Sequence, residues 1–323
     1  MDTLNLAQIA IANQYDTATI TTTNTANTTT TATIATTNTK LVLSFKKLIL
    51  FPKLIDITVL SSIIDLDISH NELKFIDIKD LVNLTNLTIL KCQCNEFTCL
   101  DSLFNLPNLT ELYCAGNQIT DLDHLPINLK ILNCMANNLS DLNYLPPGLQ
   151  ELECDDNNIS RLDNLPLSLQ VLCCGYNILT LLDCLPASLK GLYCECNRIS
   201  ALDNLPSNLQ NLNCCSNLLS SLDNLPITLK ILCCERNNIC ELNQLPCNLE
   251  DLGCYYNKLT ALDHLPHSLK ILHCIQNLIT TLDCLPPNLI ELHCDYNPFT
   301  YTFQPTLENI RNYNISRQLE KLN

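Results

Sequence analysis

From Leu109 to Asn297 the apolar positions follow one phrase, L-x-x-L-x-C-x-x-N-x-L, and then a second half that closes on Leu-Pro. In the copy beginning at Leu129, Leu132 and Cys134 point one way and Asn133 the other, the alternation of a short strand with one face buried. Asn117, Asn137, Asn157, Asn177, Asn197, Asn217, Asn237, Asn257, Asn277 and Asn297 stand twenty residues apart without an insertion, and two looser copies centre on Asn71 and Asn95. No copy can bury Leu129, Leu132, Leu139, Leu142 and Leu145 alone, so the pattern predicts stacked repeats whose strands form a parallel sheet spaced ~4.8 Å apart. The invariant Asn follows the strand, where an amide satisfies backbone groups left unpaired by the bend.

The return half is too short for a helix and carries a proline in each copy from Pro126 to Pro286, which predicts extended or polyproline-like segments and tight turns. The earlier copies span 24 and 22 residues, and "FIDIKDLVNLTN" lacks proline, so a helical turn or two is expected there. The organisation expected is a Thr/Asn-rich flexible leader (1–40), an N-terminal cap (41–62), about twelve repeats (63–297) and a C-terminal cap (298–323). In that last segment Leu307, Ile310, Tyr313 and Leu319 lie at near-helical spacing.

These phrases resemble the leucine-rich repeat, over residues 63 to 297. The L-P-x-x-L ending in twenty-residue copies is similar to the repeats of bacterial type III effectors, and the L-x-C version with "LDNLP" resembles leucine-rich repeat proteins of giant DNA viruses of amoebae. The resemblance implies a solenoid capped at both ends, with a parallel β-sheet on the concave face and extended segments on the convex face. Type III effectors often add a ubiquitin-ligase domain; 26 residues follow Asn297, so that activity is not carried over.

Composition narrows the function classes. A formal charge of −15 opposes phosphate and anionic lipid, so neither nucleic acid nor membrane is an expected partner. Five dispersed glycines assemble no phosphate-cradling loop. An insertion-free array offers no water-excluding pocket, so no enzyme and no cofactor is expected. Asp2 stands where a signal peptide would be basic, and twenty-one cysteines suit a reducing compartment, so the expected location is intracellular, in the cytoplasm.

The cysteine column from Cys92 through Cys114 and Cys134 to Cys294 occupies an inward strand position. In-register side chains fit disulfide geometry poorly, and a line of thiols cannot surround one zinc, so these cysteines are read as small core residues. The outer Asp column, Asp123, Asp163, Asp183, Asp203, Asp223, Asp263 and Asp283, lacks the glycines of calcium-coiling repeats and is read as turn-forming.

The outward strand positions are free to differ between copies, and they carry the candidate site. Glu111, Glu151, Glu153, Asp155, Asp156, Glu195, Glu235, Asp251, Glu291 and Asp295 face the single base Arg236 there. Tyrosines interleave with them, a mixture suited to a protein partner with a basic surface. The expected partner-binding residues are Tyr113, Glu151, Glu153, Asp155, Asp156, Tyr176, Tyr193, Glu195, Arg236, Tyr255, Tyr256, His273, His293 and Tyr296. The alternative is a metal- or thiol-reactive protein using outward Cys and His. Cys173, Cys215 and Cys233 are expected to react quickly. His273 and His293, beside Glu291 and Asp295, are read as surface residues, with an open zinc site as the sharper alternative. The pattern leaves the oligomeric state and the partner's identity open.

Overall fold

The computed structural model describes residues 8–11, 17–23, 29–35, 39–51, 60–75, 81 and 83–320. They fall into two units, one of residues 1–159 with 163–169 and one of residues 160–162 with 170–323.

In the first unit, three strands run through the segment expected to be a flexible leader. They are β1 (Gln8–Ile11), β2 (Thr17–Thr23) and β3 (Thr29–Ala35), paired antiparallel in the order β1-β2-β3. Thr and Ile are β-branched and favour extended backbone, a tendency that a reading based on lack of core-forming residues did not weigh. Thr39 and Lys40 of that expected leader belong to the next strand, and its remaining residues lie outside the described ones.

The repeats of this unit supply β4 (Thr39–Val42), β5 (Ile63–Asp67), β6 (Ile89–Lys91), β7 (Glu111–Tyr113), β8 (Ile131–Asn133) and β9 (Glu151–Glu153), all parallel. The central leucines align in register as Leu66, Leu90, Leu112, Leu132 and Leu152. The segment expected as an N-terminal cap contributes β4 and buries Leu41, Leu43, Leu48, Phe51 and Leu60; its residues 52–59 lie outside the described residues. So do half of the residues of "FIDIKDLVNLTN" expected to hold a helical turn; the following copy makes a short 3-10 turn at Asp101–Asn105.

The second unit repeats the scheme with β10 (Val171–Cys173), β11 (Gly191–Tyr193), β12 (Asn211–Asn213), β13 (Ile231–Cys233), β14 (Asp251–Gly253), β15 (Ile271–His273) and β16 (Glu291–His293). These are also parallel, with Leu172, Leu192, Leu212, Leu232, Leu252, Leu272 and Leu292 in register. A helix, α1 (Leu307–Glu320), closes its C-terminal end. Ile310 of α1 is fully buried, but Leu319 is exposed, so the cap is less apolar than its spacing predicts. Polar groups do the rest: Arg311 donates to the carbonyls of Pro286, Pro287 and Leu289, and Asn314 to that of Leu282. An end repeat has carbonyls without a following repeat to pair them, and side-chain donors satisfy them.

Three columns hold each repeat to the next. The Asn side chain bridges two copies: Asn137 Nδ2 donates to the carbonyls of Cys114, Cys134 and Met135 while its Oδ1 accepts from the Ile119 N–H. The Cys column is buried at every position from Cys92 to Cys294, and all twenty-one cysteines are free thiols. Several of these thiols donate to a carbonyl in the next copy, as Cys114 Sγ does to Asn133 and Cys214 Sγ to Cys233, each at 3.3 Å. A thiol therefore fills the narrow core and adds a weak hydrogen bond that Val or Leu cannot make. On the return side each Leu-Pro pair turns through a Pro carbonyl that accepts from the N–H three residues on, as from Leu129 to Pro126 at 3.2 Å.

The third column was not foreseen from sequence. Asn128, Ser168, Thr228, Asn248, Ser268 and Asn288 each donate to a carbonyl of the preceding copy's return segment. Gly148 occupies the same place without a side chain, and there Lys130 Nζ donates to the Gly148 carbonyl instead.

The residue before the ladder Asn takes a left-handed backbone. Ala136, Asp156, Tyr176, Cys196, Ser216, Arg236, Tyr256, Gln276 and Tyr296 have φ between 49° and 56°. For a residue with a Cβ this costs roughly 1–2 kcal/mol, a strain the Asn hydrogen bonds must offset in each copy.

Candidate functional site

Strand residues at the first and third positions of each triplet point away from the core, and the site is built from them. Tyr113 OH donates to Glu111 Oε2 at 3.0 Å in the first unit. Its phenol is pushed up to about 12, first by burial, then by that bond and the charges of Glu111, Glu153 and Glu151, so it stays a neutral donor. One strand along, Asn133 Nδ2 donates to the Glu153 carboxylate. Glu151 and Asp156 are exposed, and Asp155 is half-buried. Of the acidic strand read from sequence, Glu153 is therefore engaged within the protein while Glu151 and Asp156 are presented to solvent.

In the second unit two glycines shape the surface. A Cβ at Gly191 would stand 3.2 Å from the Tyr193 ring, so the missing side chain lets Tyr193 fold back over its own strand. A Cβ at Gly253 would collide with the Glu235 carboxylate. Gly253 pairs in register with Cys233, and Glu235 lies down over the gap, only 7% exposed. The Cys215 thiol donates to Glu235 Oε2.

Burial raises the Glu235 carboxyl above its ordinary range, against the opposing effect of the Cys215 bond. The Cys215 thiol rises too, from burial first and then from Glu235, and burial with neighbouring acids pushes Cys233 up to about 12. The expectation of fast-reacting Cys215 and Cys233 is corrected on this ground: both are half-buried and held as thiols. Cys173 is also half-buried. The exposed thiols are Cys94, Cys99, Cys184, Cys240, Cys247 and Cys284, away from the strand triplets.

The remaining candidates form smaller groups. Arg236 stacks over the Tyr256 ring at 4.6 Å, and Tyr255 meets Tyr256 edge-on at 5.7 Å. Tyr176 is exposed and bonded to Cys196, which raises its phenol, and Tyr296 is 83% exposed. Glu195 is half-buried, and its Oε2 is buried without a hydrogen-bond partner among the described residues.

At the end of the sheet His273 and His293 pair in register, with ring centroids 4.7 Å apart and edge-to-face. Glu291 Oε1 lies 3.2 Å from His273 Nε2 and 3.0 Å from His293 Nε2. The two imidazoles draw the Glu291 carboxyl below its ordinary range. Sequence reading placed both Glu291 and Asp295 near this pair; the contacts run to Glu291.

Parallel strands in register, an Asn bridge in each copy and a Cys column from Cys92 onward, with Ile68 in the corresponding place of the copy before it, define a leucine-rich repeat solenoid. Residues 85–126 and 107–147 each match the family described as Leucine Rich repeats (2 copies). Among solved structures the chain is similar to YopM from Yersinia enterocolitica, at 30% identity over 78% of this chain and 57% of that one, with a TM-score of 0.65. It is similar to an internalin, InlF, of Listeria monocytogenes at 25% identity, covering 81% of this chain and 82% of that one, with a TM-score of 0.70. The functional domain of InlJ from Listeria monocytogenes, described as including a cysteine ladder, matches at 28% identity over 82% of this chain and 63% of that one, with a TM-score of 0.64. The chain thus spans little more than half, 57%, of the Yersinia enterocolitica YopM it matches. No curated protein sequence matches it. No described helix is long and apolar enough to cross a membrane.

Proposed function

We propose that this protein is a non-enzymatic interaction scaffold whose sheet face, the concave side in this fold class, takes a partner protein with a basic surface. The observation that carries the reading is the charge of the outward columns, where acids recur and Arg236 is the one base from Glu111 to Asp295. Exposed Tyr176, Tyr256 and Tyr296 add apolar area with a polar tip, the residue type that anchors protein interfaces. Leucine-rich repeat proteins commonly bind protein partners, and the neighbours in fold include a bacterial effector and internalins.

The resemblance of the L-x-C and "LDNLP" phrase to giant-virus proteins supports, as part of the same proposal, action inside a host cell, where free thiols persist. Acidity also turns the face away from nucleic acid and anionic membranes.

The test uses the full chain as bait, compared with Glu151→Lys/Asp156→Lys, both exposed and outside the core. Captured proteins are identified by mass spectrometry, and the association rate of the main one is measured at rising salt. The reversed bait is expected to associate slower by about tenfold or more, and the wild-type rate to fall with ionic strength. Equal association of both baits at all salt concentrations would show that the acidic columns are not the docking surface.

A further inference from the structure

The geometry points to a binding site for a divalent transition-metal ion, zinc in the first instance, formed by His273, His293 and Glu291 on the sheet face of the second unit. The inference goes beyond partner docking and stands whether or not a partner binds. One potential donor atom from each of these residues lies within 4.8 Å of the other two, the sole such His/Cys/Asp/Glu group among the described residues.

The donor set fits the ion. Two imidazole nitrogens and one carboxylate oxygen are the three protein ligands of an open tetrahedral zinc site. Bond lengths of ~2.0–2.2 Å around a tetrahedral ion put neighbouring donors about 3.3 Å apart. Glu291 Oε1 already stands 3.2 Å from one Nε2 and 3.0 Å from the other, so small side-chain rotations admit the ion between them. Each imidazole then ligates through an unprotonated Nε2 with one proton on Nδ1: a charged ring releases its Nε2 proton to solvent, and a neutral ring protonated at Nε2 shifts to the Nδ1–H tautomer by exchange with solvent.

The surroundings favour a cation. Asp251 is near enough to interact electrostatically with both His273 and Glu291. His273 is flanked in register by Gly253 on β14, and the Glu235 carboxylate that lies over Gly253 is also near enough to interact electrostatically with His273. The position left open on the metal is available to water or to a donor from another molecule. Without an ion, the same three groups form a hydrogen-bonded cluster in which one carboxylate oxygen serves two rings.

Exposed thiols elsewhere in the chain also bind soft metals, and the test must separate the two sources. Purified full-length protein is titrated with cobalt(II) chloride and followed by absorption, then back-titrated with zinc chloride. Ligation by His and Glu gives visible d–d bands without near-ultraviolet thiolate charge transfer. The expected result is one equivalent of cobalt with such bands, displaced by zinc. Losing only an outer-shell partner of a ligand costs about 10- to 100-fold in affinity, so Glu291→Gln is expected to weaken binding by at least tenfold and His273→Asn/His293→Asn to remove it. All three residues are at the surface, so unchanged melting temperatures in the absence of metal confirm that the variants fold. Thiolate bands alone in the wild type, no stoichiometric binding, or identical titrations of wild type and double variant would each overturn the assignment.

Discussion

Replacing Asn137 with Ala tests the column on which the repeat stacking depends. The side chain is 7% exposed and makes four hydrogen bonds, three from Nδ2 and one to Oδ1. The three carbonyls it serves are not orphaned by its loss. Cys114 O also accepts from Asn117, Cys134 O from Asn157, and Met135 O from the Gly116 N–H. The Ile119 N–H, in a fully buried residue, is different, because its acceptor is the Asn137 Oδ1 itself. Three shared bonds at roughly 0.5 kcal/mol each and one orphaned buried donor at roughly 1–3 kcal/mol give a cost of about 2.5–4.5 kcal/mol. Asn137→Asp keeps the acceptor but turns a carboxylate oxygen toward three carbonyls, so it is expected to be at least as damaging at neutral pH. Asn138→Ala, exposed beside it, should stay within about 0.5 kcal/mol of wild type. Repeat arrays can open locally, so urea unfolding is paired with hydrogen exchange at the Ile119 amide, which should lose protection in Asn137→Ala. A cost below about 1 kcal/mol with Ile119 still protected would refute the assignment of the Asn as the donor and acceptor that joins copies.

Mass-spectrometric alkylation of native protein should label Cys94, Cys99, Cys184, Cys240, Cys247 and Cys284 first, and the buried ladder and Cys215 only after denaturation. Fast native labelling of Cys134 or Cys274 would contradict the packing role, and fast labelling of Cys215 would contradict its bond to Glu235. Glu235→Gln should raise the melting temperature at neutral pH. The native carboxyl titrates above its unfolded value, so the wild type loses stability as pH rises between the two; the advantage of Gln should therefore shrink toward about pH 4 and vanish if Glu235 is in fact solvated.

The stacking was legible in the sequence because its determinants repeat. Leu132, Cys134 and Asn137 recur at one spacing, and a spacing shared by ten copies can be satisfied only by strands in register. The pairing of His273 with His293 follows from the same arithmetic. The Asn/Ser/Thr column of the return segments is equally periodic, but polar residues beside a Leu-Pro turn have ordinary loop composition, which does not reveal their cross-copy bonds. The left-handed residue before each Asn was hidden for another reason. Its occupants, from Ala136 to Tyr256, share no side-chain chemistry, and the conformation is imposed by the Asn bridge after them.

The outward columns resist sequence reading because their chemistry depends on pairs of unlike neighbours. Formal charge counts Glu235 as a surface acid, yet the absence of a Cβ at Gly253 lets it fold onto the sheet and accept from Cys215. The same count treats Glu111, Glu153 and Glu291 as free, although Tyr113, Asn133 and the two histidines each hold one of them. What remains exposed and acidic on these strands or beside them is Glu151 and Asp156 in the first unit and Asp295 in the second, with Glu291 exposed but engaged. On the proposed reading, a basic partner would meet its strongest unengaged carboxylates at Glu151 and Asp156. In the second unit Glu291 is drawn between two imidazoles, and on the inference above this group would take an ion rather than a lysine or arginine. The two groups are thus expected to respond to different perturbations: salt and charge reversal at Glu151 and Asp156, metal and imidazole removal at His273 and His293.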